Sequence, residues 1–404
     1  MAVSAPAAAT YRGYGARPPM DGLRLFHGVV LDLPDFAQPA YEVLHDAFAV
    51  PFAGLTTDGT VRPGLTALAP EGRSTAPVAL AAQAYLAALT RPDHHAEAAQ
   101  PLDSPYRRRW FNAFPDWSPP GVLLDDLDDA QRAAALRVVE ESLSAEGYAE
   151  VRKVMRLNGL LGDFVGTYVD SLREHTYFFT IFGEPRPDAA WAWQLMGHHL
   201  DLNCLVLPEH VVQTPMFLGS EFNGVEGVTV FEAESAAGPA LLAALDDGQR
   251  AQAVLYDAVD PAVLPPELAG PVDGRHRGGA GQDNLVIPYA GVPAAGFSAA
   301  QQDALLALVD VYLARFPEVH ARQWRREIVE HLGEAHFAWI GDPGGEPPFY
   351  YRVHTPVLWI EFDHHQGIFL GNDVPEPFHV HTIVRMPNGG DYGASYVPVG
   401  TGEV

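Results

Sequence analysis

Three short histidine motifs hold the residues of this chain best suited to chemistry: Gly197-His198-His199-Leu200, Asp363-His364-His365 and His379-Val380-His381. Together they take six of its 17 histidines. His-x-His is the most informative spacing, because side chains at i and i+2 of a strand point to the same face. Both imidazoles can then meet one cation, at about 2.0–2.1 Å from each nitrogen if it is zinc. A third ligand must come from a neighbouring strand. His199 shares the strand parity of Trp191, Trp193, Gly197, Asp201 and Asn203, a polar and aromatic set.

Glu361 closes the apolar run Val357-Leu358-Trp359-Ile360, where an unpaired carboxylate is costly. The expected site is therefore a metal ion on His199, His379 and His381, with Glu361 as fourth ligand or general base. Arg352 or Arg385 would hold a carboxylate or a developing oxyanion. Each assignment has a plainer counterpart. His-x-His occurs in strands that bind nothing, His-His pairs often join a core histidine to an exposed one, and a sheet arginine equally well pairs with a structural carboxylate. His210, His336 and His354 read as scattered surface or core residues.

Three imidazoles leave a coordination position open, as catalytic zinc sites do. Zinc brings bound water to a pKa of about 7, and Glu361 beside it could take the proton. Hydrolysis of a small-molecule substrate is the first reading, since it needs no redox partner. Iron or copper suits the same ligands and gives an oxidoreductase as the alternative. A third reading is a non-catalytic binding protein whose aromatic pocket (Trp191, Trp193, Phe337, Trp339) holds an apolar ligand.

Composition removes other classes. With 51 acidic against 25 basic residues, the formal net charge is −26, a surface that repels phosphate backbones and anionic lipid headgroups. Neither nucleic acid nor a membrane is expected as a partner. Lys153 is the only lysine, so there is no phosphate-binding Gly-x-x-x-x-Gly-Lys loop, and it reads as a helix-face residue. Cys204 is the only cysteine, which excludes internal disulfides and all-thiolate metal sites and reads as a small core residue. Gly-x-Ser-x-Gly, His-Glu-x-x-His and Gly-x-Gly-x-x-Gly are all missing from the sequence. The N-terminus lacks a signal-peptide pattern, and no run nears the roughly 18 apolar residues of a membrane span. A cytoplasmic location is the expectation, with the oligomeric state open.

The elements that must position these residues come in blocks. Residues 1–22 are rich in Ala, Pro and Gly and read as a flexible arm. Thr57-Asp58-Gly59-Thr60 reads as a hairpin turn, and Ser74-Thr75-Ala76-Pro77 opens a helix to about Leu89. A helical block spans 125–163 with a break at Gly147. The period then changes to 2 over Tyr177–Phe182, Trp191–Leu207 and Val211–Phe217. Helices return at Ala240–Leu255, Ser298–Phe316 and Ala321–Leu332, and strands at Phe349–Phe362 and Phe378–Met386. Blocks rather than β-α-β alternation predict an α+β fold. A mainly antiparallel sheet would join strand blocks 177–217 and 349–386, with the helical blocks packed against it.

The chain also resembles a bacterial family described as a domain of unknown function. The resemblance rests on Phe182-Gly183-x-Pro185, Trp191-x-Trp193, Gly197-His198-His199-Leu200-x-Leu202-Asn203 and Thr214-Pro215-x-Phe217. It continues through His336-Phe337-Ala338-Trp339, Tyr351-Arg352, Ile360-Glu361-Phe362-Asp363, His379-x-His381 and Asp391-Tyr392-Gly393, with Leu55–Gly59 and Ser74–Pro77 nearer the N-terminus. It covers roughly residues 45–395 and implies one integrated domain from 23 to 404, with no established activity attached. This sequence departs from the family pattern at His364-His365, where Asn and a small polar residue are expected. The pair is either an added ligand or without a role.

Overall fold

Tyr177–Phe182 reads Tyr-Phe-Phe-Thr-Ile-Phe, the aromatic and β-branched composition of a strand buried on both faces. In the computed structural model, which describes residues 10–35, 37–65, 72–114, 119–268 and 275–400, it forms β1 of a large sheet. Its companions are β2 (Trp191–Gly197), β3 (Leu200–Leu207), β4 (Met216–Ser220), β5 (His336–Gly341), β6 (Phe349–His354), β7 (Trp359–His365) and β8 (Glu376–Arg385). The spatial order is β5-β6-β7-β8-β4-β3-β2-β1. The two strand blocks therefore meet in one sheet, through pairing of β8 with β4.

The fold is a mixed α and β architecture, but the expected mainly antiparallel sheet is corrected: the sheet is mixed. Val254–Tyr256 pairs parallel with β5 at one end, and Ala99–Gln100 pairs parallel with β1 at the other. The strands between them pair antiparallel. Both parallel segments are only two or three residues long, too short to show a strand period in the sequence.

One face of the sheet carries the helices. The relevant ones are α2 (Ala76–Ala88), α3 (Asp129–Ser142), α4 (Ala145–Val165), α5 (Glu232–Ala244), α6 (Ala299–Leu313) and α7 (Glu318–Glu330), following α1 (Gln38–Ala49) in the chain. Leu157, Leu305 and Trp324 from this layer share one buried cluster with Leu202, Val353 and Ile360 of the sheet. α3 and α6 start in capping boxes, Asp128 with Gln131 and Ser298 with Gln301, which satisfy backbone donors that the helix leaves unpaired. The opposite face is covered by α1 and by segments near 110 and 280, where Leu44, Phe48, Trp110 and Ala280 meet Met196, Phe217 and Ile383.

Several local expectations change. The helix break falls at Leu143–Ser144, and Gly147 lies inside α4, where a β-carbon would run into the Arg315 carbonyl. Asp58 accepts the Thr60 amide, but Thr56 bridges to Val286 instead of closing a hairpin. The predicted single strand 191–207 is two strands joined by a turn at His198-His199. The four aromatic residues Trp191, Trp193, Phe337 and Trp339 belong to the helix-side core, at most 2% exposed. Positions 1–9 of the expected N-terminal arm lie outside the described residues. Within 10–22, the Tyr11 hydroxyl donates to Asn223 Oδ1 at 3.2 Å and Arg17 Nε to the Leu370 carbonyl at 2.8 Å. Lys153 is exposed on α4 and Cys204 is buried.

Candidate metal centre

β8 reads Phe378-His379-Val380-His381-Thr382-Ile383, and the pleat puts His379, His381 and Ile383 on the face away from the helices. Pairing fixes their neighbours: His381 lies opposite Asp363 of β7 and Gly219 of β4. The third imidazole comes from the tight turn between β2 and β3, where Gly197 pairs directly with Leu200. His199 takes a left-handed conformation there, with φ of 62°. Such a conformation costs a side-chain-bearing residue of order 1–3 kcal/mol and persists only where the surroundings enforce it. Here the His199 amide donates to the Asn112 carbonyl at 3.2 Å, and its carbonyl accepts the Gly219 amide at 2.8 Å.

The turn also corrects the parity argument. Reversal over two residues puts Trp193 opposite Cys204 on the helix side, whereas Asp201 and Asn203 lie opposite Met196 and Gln194 on the other side. His199 reaches the site because of the turn and not because of strand alternation.

The Nε2 atoms of His199, His379 and His381 form a triangle with sides of 3.0, 3.1 and 3.2 Å. All three residues are buried, and among the described residues they are the group whose spacing could hold a metal ion. Nitrogens at these separations lie about 1.8 Å from their common centre. The three residues could hold one divalent ion at bonds of about 2.0–2.1 Å if it is zinc. Burial first, and the neighbouring imidazoles second, hold all three well below the ordinary histidine pKa. Neutral imidazoles are the state that coordinates a cation.

Other side chains hold the triangle in place. His198 stacks between Phe114, at 4.5 Å, and His199, at 4.0 Å between ring centroids. Asn158 Nδ2 donates to the Arg173 carbonyl, which leaves Asn158 Oδ1 to accept from His198 Nδ1 at 2.7 Å. Of the departing pair, His364 points into the other face and accepts the Phe349 amide at 2.9 Å. His365 sits edge-on to His381 with ring centroids 4.5 Å apart. His276, which sequence reasoning passed over in the run Arg275-His276-Arg277, stands 5.9 Å from His381. Neither Asn158 nor Gly219 carries a signal in the sequence; both are found only through what they touch.

The remaining predicted residues lie in a separate polar network. Glu361 is fully buried and accepts four hydrogen bonds: from the Arg277 and Gly278 amides at 2.8 Å, from Tyr350 at 2.6 Å and from Trp359 Nε1 at 2.9 Å. It is not one of the three converging ligands. Arg385 is likewise committed, to Asp391 at 2.7 Å, to Asp283 and to the Gly278 carbonyl at 3.0 Å. Arg352 lies over the Trp359 ring at 5.0 Å.

A cavity of about 180 Å³ opens onto the triangle. His198, His199, His365, His379 and His381 line one side, and Leu33, Leu44, Phe111, Phe114 and Phe369 line much of the rest. A second hollow of about 290 Å³ shares Met20, Leu23, Ile368 and Phe369 with it and reaches towards Arg17 and Tyr168. The loop carrying Ile368 and Phe369 is held by Glu221, whose carboxylate accepts the amides of Ile368, Phe369 and Leu370 at 3.0, 2.8 and 2.6 Å. Burial pushes the Glu221 carboxyl up to about 7. No helix among the described residues is long and apolar enough to cross a membrane.

Comparison with known proteins adds a family and no activity. A family model described as a protein of unknown function, DUF3500, matches residues 71–394. No curated protein and no solved structure matches the chain.

Proposed function

The chain belongs to the DUF3500 family, which brings no activity with it, and from the geometry of its own site we propose a metal-dependent enzyme. One divalent ion is bound by His199, His379 and His381, with an open position turned to the cavity. The carrying observation is the convergence of three buried Nε2 atoms within 3.0–3.2 Å of one another. A proton on one Nε2 can serve one of these three contacts, whereas a cation between the rings serves all three, and burial makes that difference larger.

Zinc fits three imidazoles plus one exchangeable ligand. Its bound water, with a pKa brought to about 7, would supply hydroxide for hydrolysis of a small-molecule substrate. In this reading Glu361 is not the base, because it is saturated by four donors of its own, and the proton of the bound water would pass to solvent through the cavity. One observation favours the second reading, an iron- or copper-dependent oxidoreductase. Among the described residues, no carboxylate, arginine or lysine lines the cavity to orient a polar scissile group, and imidazole serves those metals equally.

Metal analysis of the purified chain tests the proposal. One equivalent of zinc supports hydrolysis and one of iron or copper supports oxidation. The proposal fails if no first-row divalent ion can be loaded at all.

A further inference from the structure

We infer that the substrate is a small, largely apolar molecule about the bulk of one substituted six-membered ring, bearing a single metal-binding head group. The wall that selects it comes from residues between Met20 and Leu44 together with Phe111, Phe114 and Phe369. This inference rests on the metal reading above.

Volume sets the size. The cavity measures about 180 Å³, and a dry apolar cavity of about 150 Å³ accommodates a benzene ring. Lining chemistry sets the class. Among the described residues, the polar side chains on the wall apart from the histidines belong to Tyr41 and Asn112. The Tyr41 hydroxyl donates to the Phe114 carbonyl at 2.8 Å. A sugar or phosphate would strand its polar groups against Leu33, Leu44, Phe111 and Phe114, at the cost of unmatched hydrogen bonds. An apolar ring gains from the same surface, and only the metal offers its head group a strong partner.

The cavity draws on two stretches of chain. The three ligands, together with Phe111, Phe114 and Phe369 of the wall, fall within the family-matched span 71–394. Met20, Leu23, Val30, Leu33, Ala37 and Leu44 precede it and cover the cavity from the other side. α1 contributes its buried stripe, Ala40 and Leu44, to this cover. Chemistry thus belongs to the matched core, and size selection is shared between that core and the segment ahead of it.

The test uses the full chain loaded with cobalt(II), whose visible spectrum reports ligands entering the coordination sphere. Three hydroxamates share one metal-binding head: acetohydroxamate, benzohydroxamate and 2-naphthohydroxamate. Benzohydroxamate should bind at least tenfold tighter than acetohydroxamate, and naphthohydroxamate more weakly than benzohydroxamate. Ala37→Phe, which fills the wall, should remove the preference for the single ring without changing cobalt content. Leu44→Ala, which enlarges the cavity, should improve naphthohydroxamate relative to benzohydroxamate, so that either variant suffices if the other does not fold. Equal affinities for the three probes in a protein that holds cobalt overturn the substrate class and leave the metal centre standing. A protein that takes up no cobalt overturns both.

Discussion

Gly219 and His381 face each other across β4 and β8 so closely that a β-carbon on Gly219 would lie 3.0 Å from His381 Cδ2 and 3.2 Å from His199 Cδ2. Two of the three imidazoles therefore rest against a position with no side chain. Gly219→Ala should shift both rings by a few tenths of an ångström and crowd the Val380 carbonyl, which would lie 3.0 Å from the new carbon. A loss of about 10–100-fold in metal affinity is expected, the usual scale for residues that orient ligands, with little change in circular dichroism. Wild-type affinity in this variant would mean that the rings tolerate the displacement and that Gly219 has no part in the site.

Removing a ligand should be more severe. His379→Ala and His381→Ala should each leave less than about a tenth of the wild-type metal content after dialysis. Because a ligand bound only by the folded state raises stability by mass action, wild-type protein should melt higher with metal than after chelation. The two variants should show no such difference.

Glu361→Gln addresses the carboxylate read from sequence as a base. An amide in its place turns an NH2 group towards some of the four donors that now point at it. The expected cost is about 2–4 kcal/mol, from charged hydrogen bonds worth roughly 1.5–3 kcal/mol each and partly retained. The melting temperature should fall and the metal content per folded molecule should hold. Metal loss without destabilisation would return Glu361 to the metal site.

Buried histidines set the acid limit. The imidazole of His198 is pushed down to about 3, and those of His364 and His365 to about 4, in each case chiefly by burial. Unfolded histidine binds its proton near pH 6.5, so between 6.5 and about 4 the unfolded chain holds more protons than the native one. Stability is then complete above pH 6.5 and is lost as the pH falls through this window. Glu221, raised to about 7, acts in the opposite sense, since the native state keeps its proton and loses stability as the pH rises towards 7. The histidines outnumber it. Urea midpoints of metal-free protein should therefore be lower at pH 5 than at pH 7, and a higher midpoint at pH 5 would refute the balance.

The sequence by itself determined that His379 and His381 share a face, because strand alternation has a period of two and needs no partner to be read. It also led to the expectation that two separated strand blocks share one sheet in a fold of helices and strands, which the pairing of β8 with β4 bears out. His199 was legible as a candidate by residue type, but for the wrong geometric reason. Its direction is set by a two-residue turn in a left-handed conformation, held by Asn112 and Gly219. Glu361, Arg352 and Arg385 looked available because the sequence does not show which neighbours their side chains meet; the amides of 277 and 278 and the carboxylate of Asp283 reach Glu361 and Arg385 only after folding. The short parallel edges of the sheet are set by chain crossings, which local periodicity does not record. The cavity wall from residues 20–44 reads in sequence as unremarkable apolar text. Only the tertiary structure decided which imidazoles converge and which carboxylate is spent, because both depend on contacts between segments tens to hundreds of residues apart.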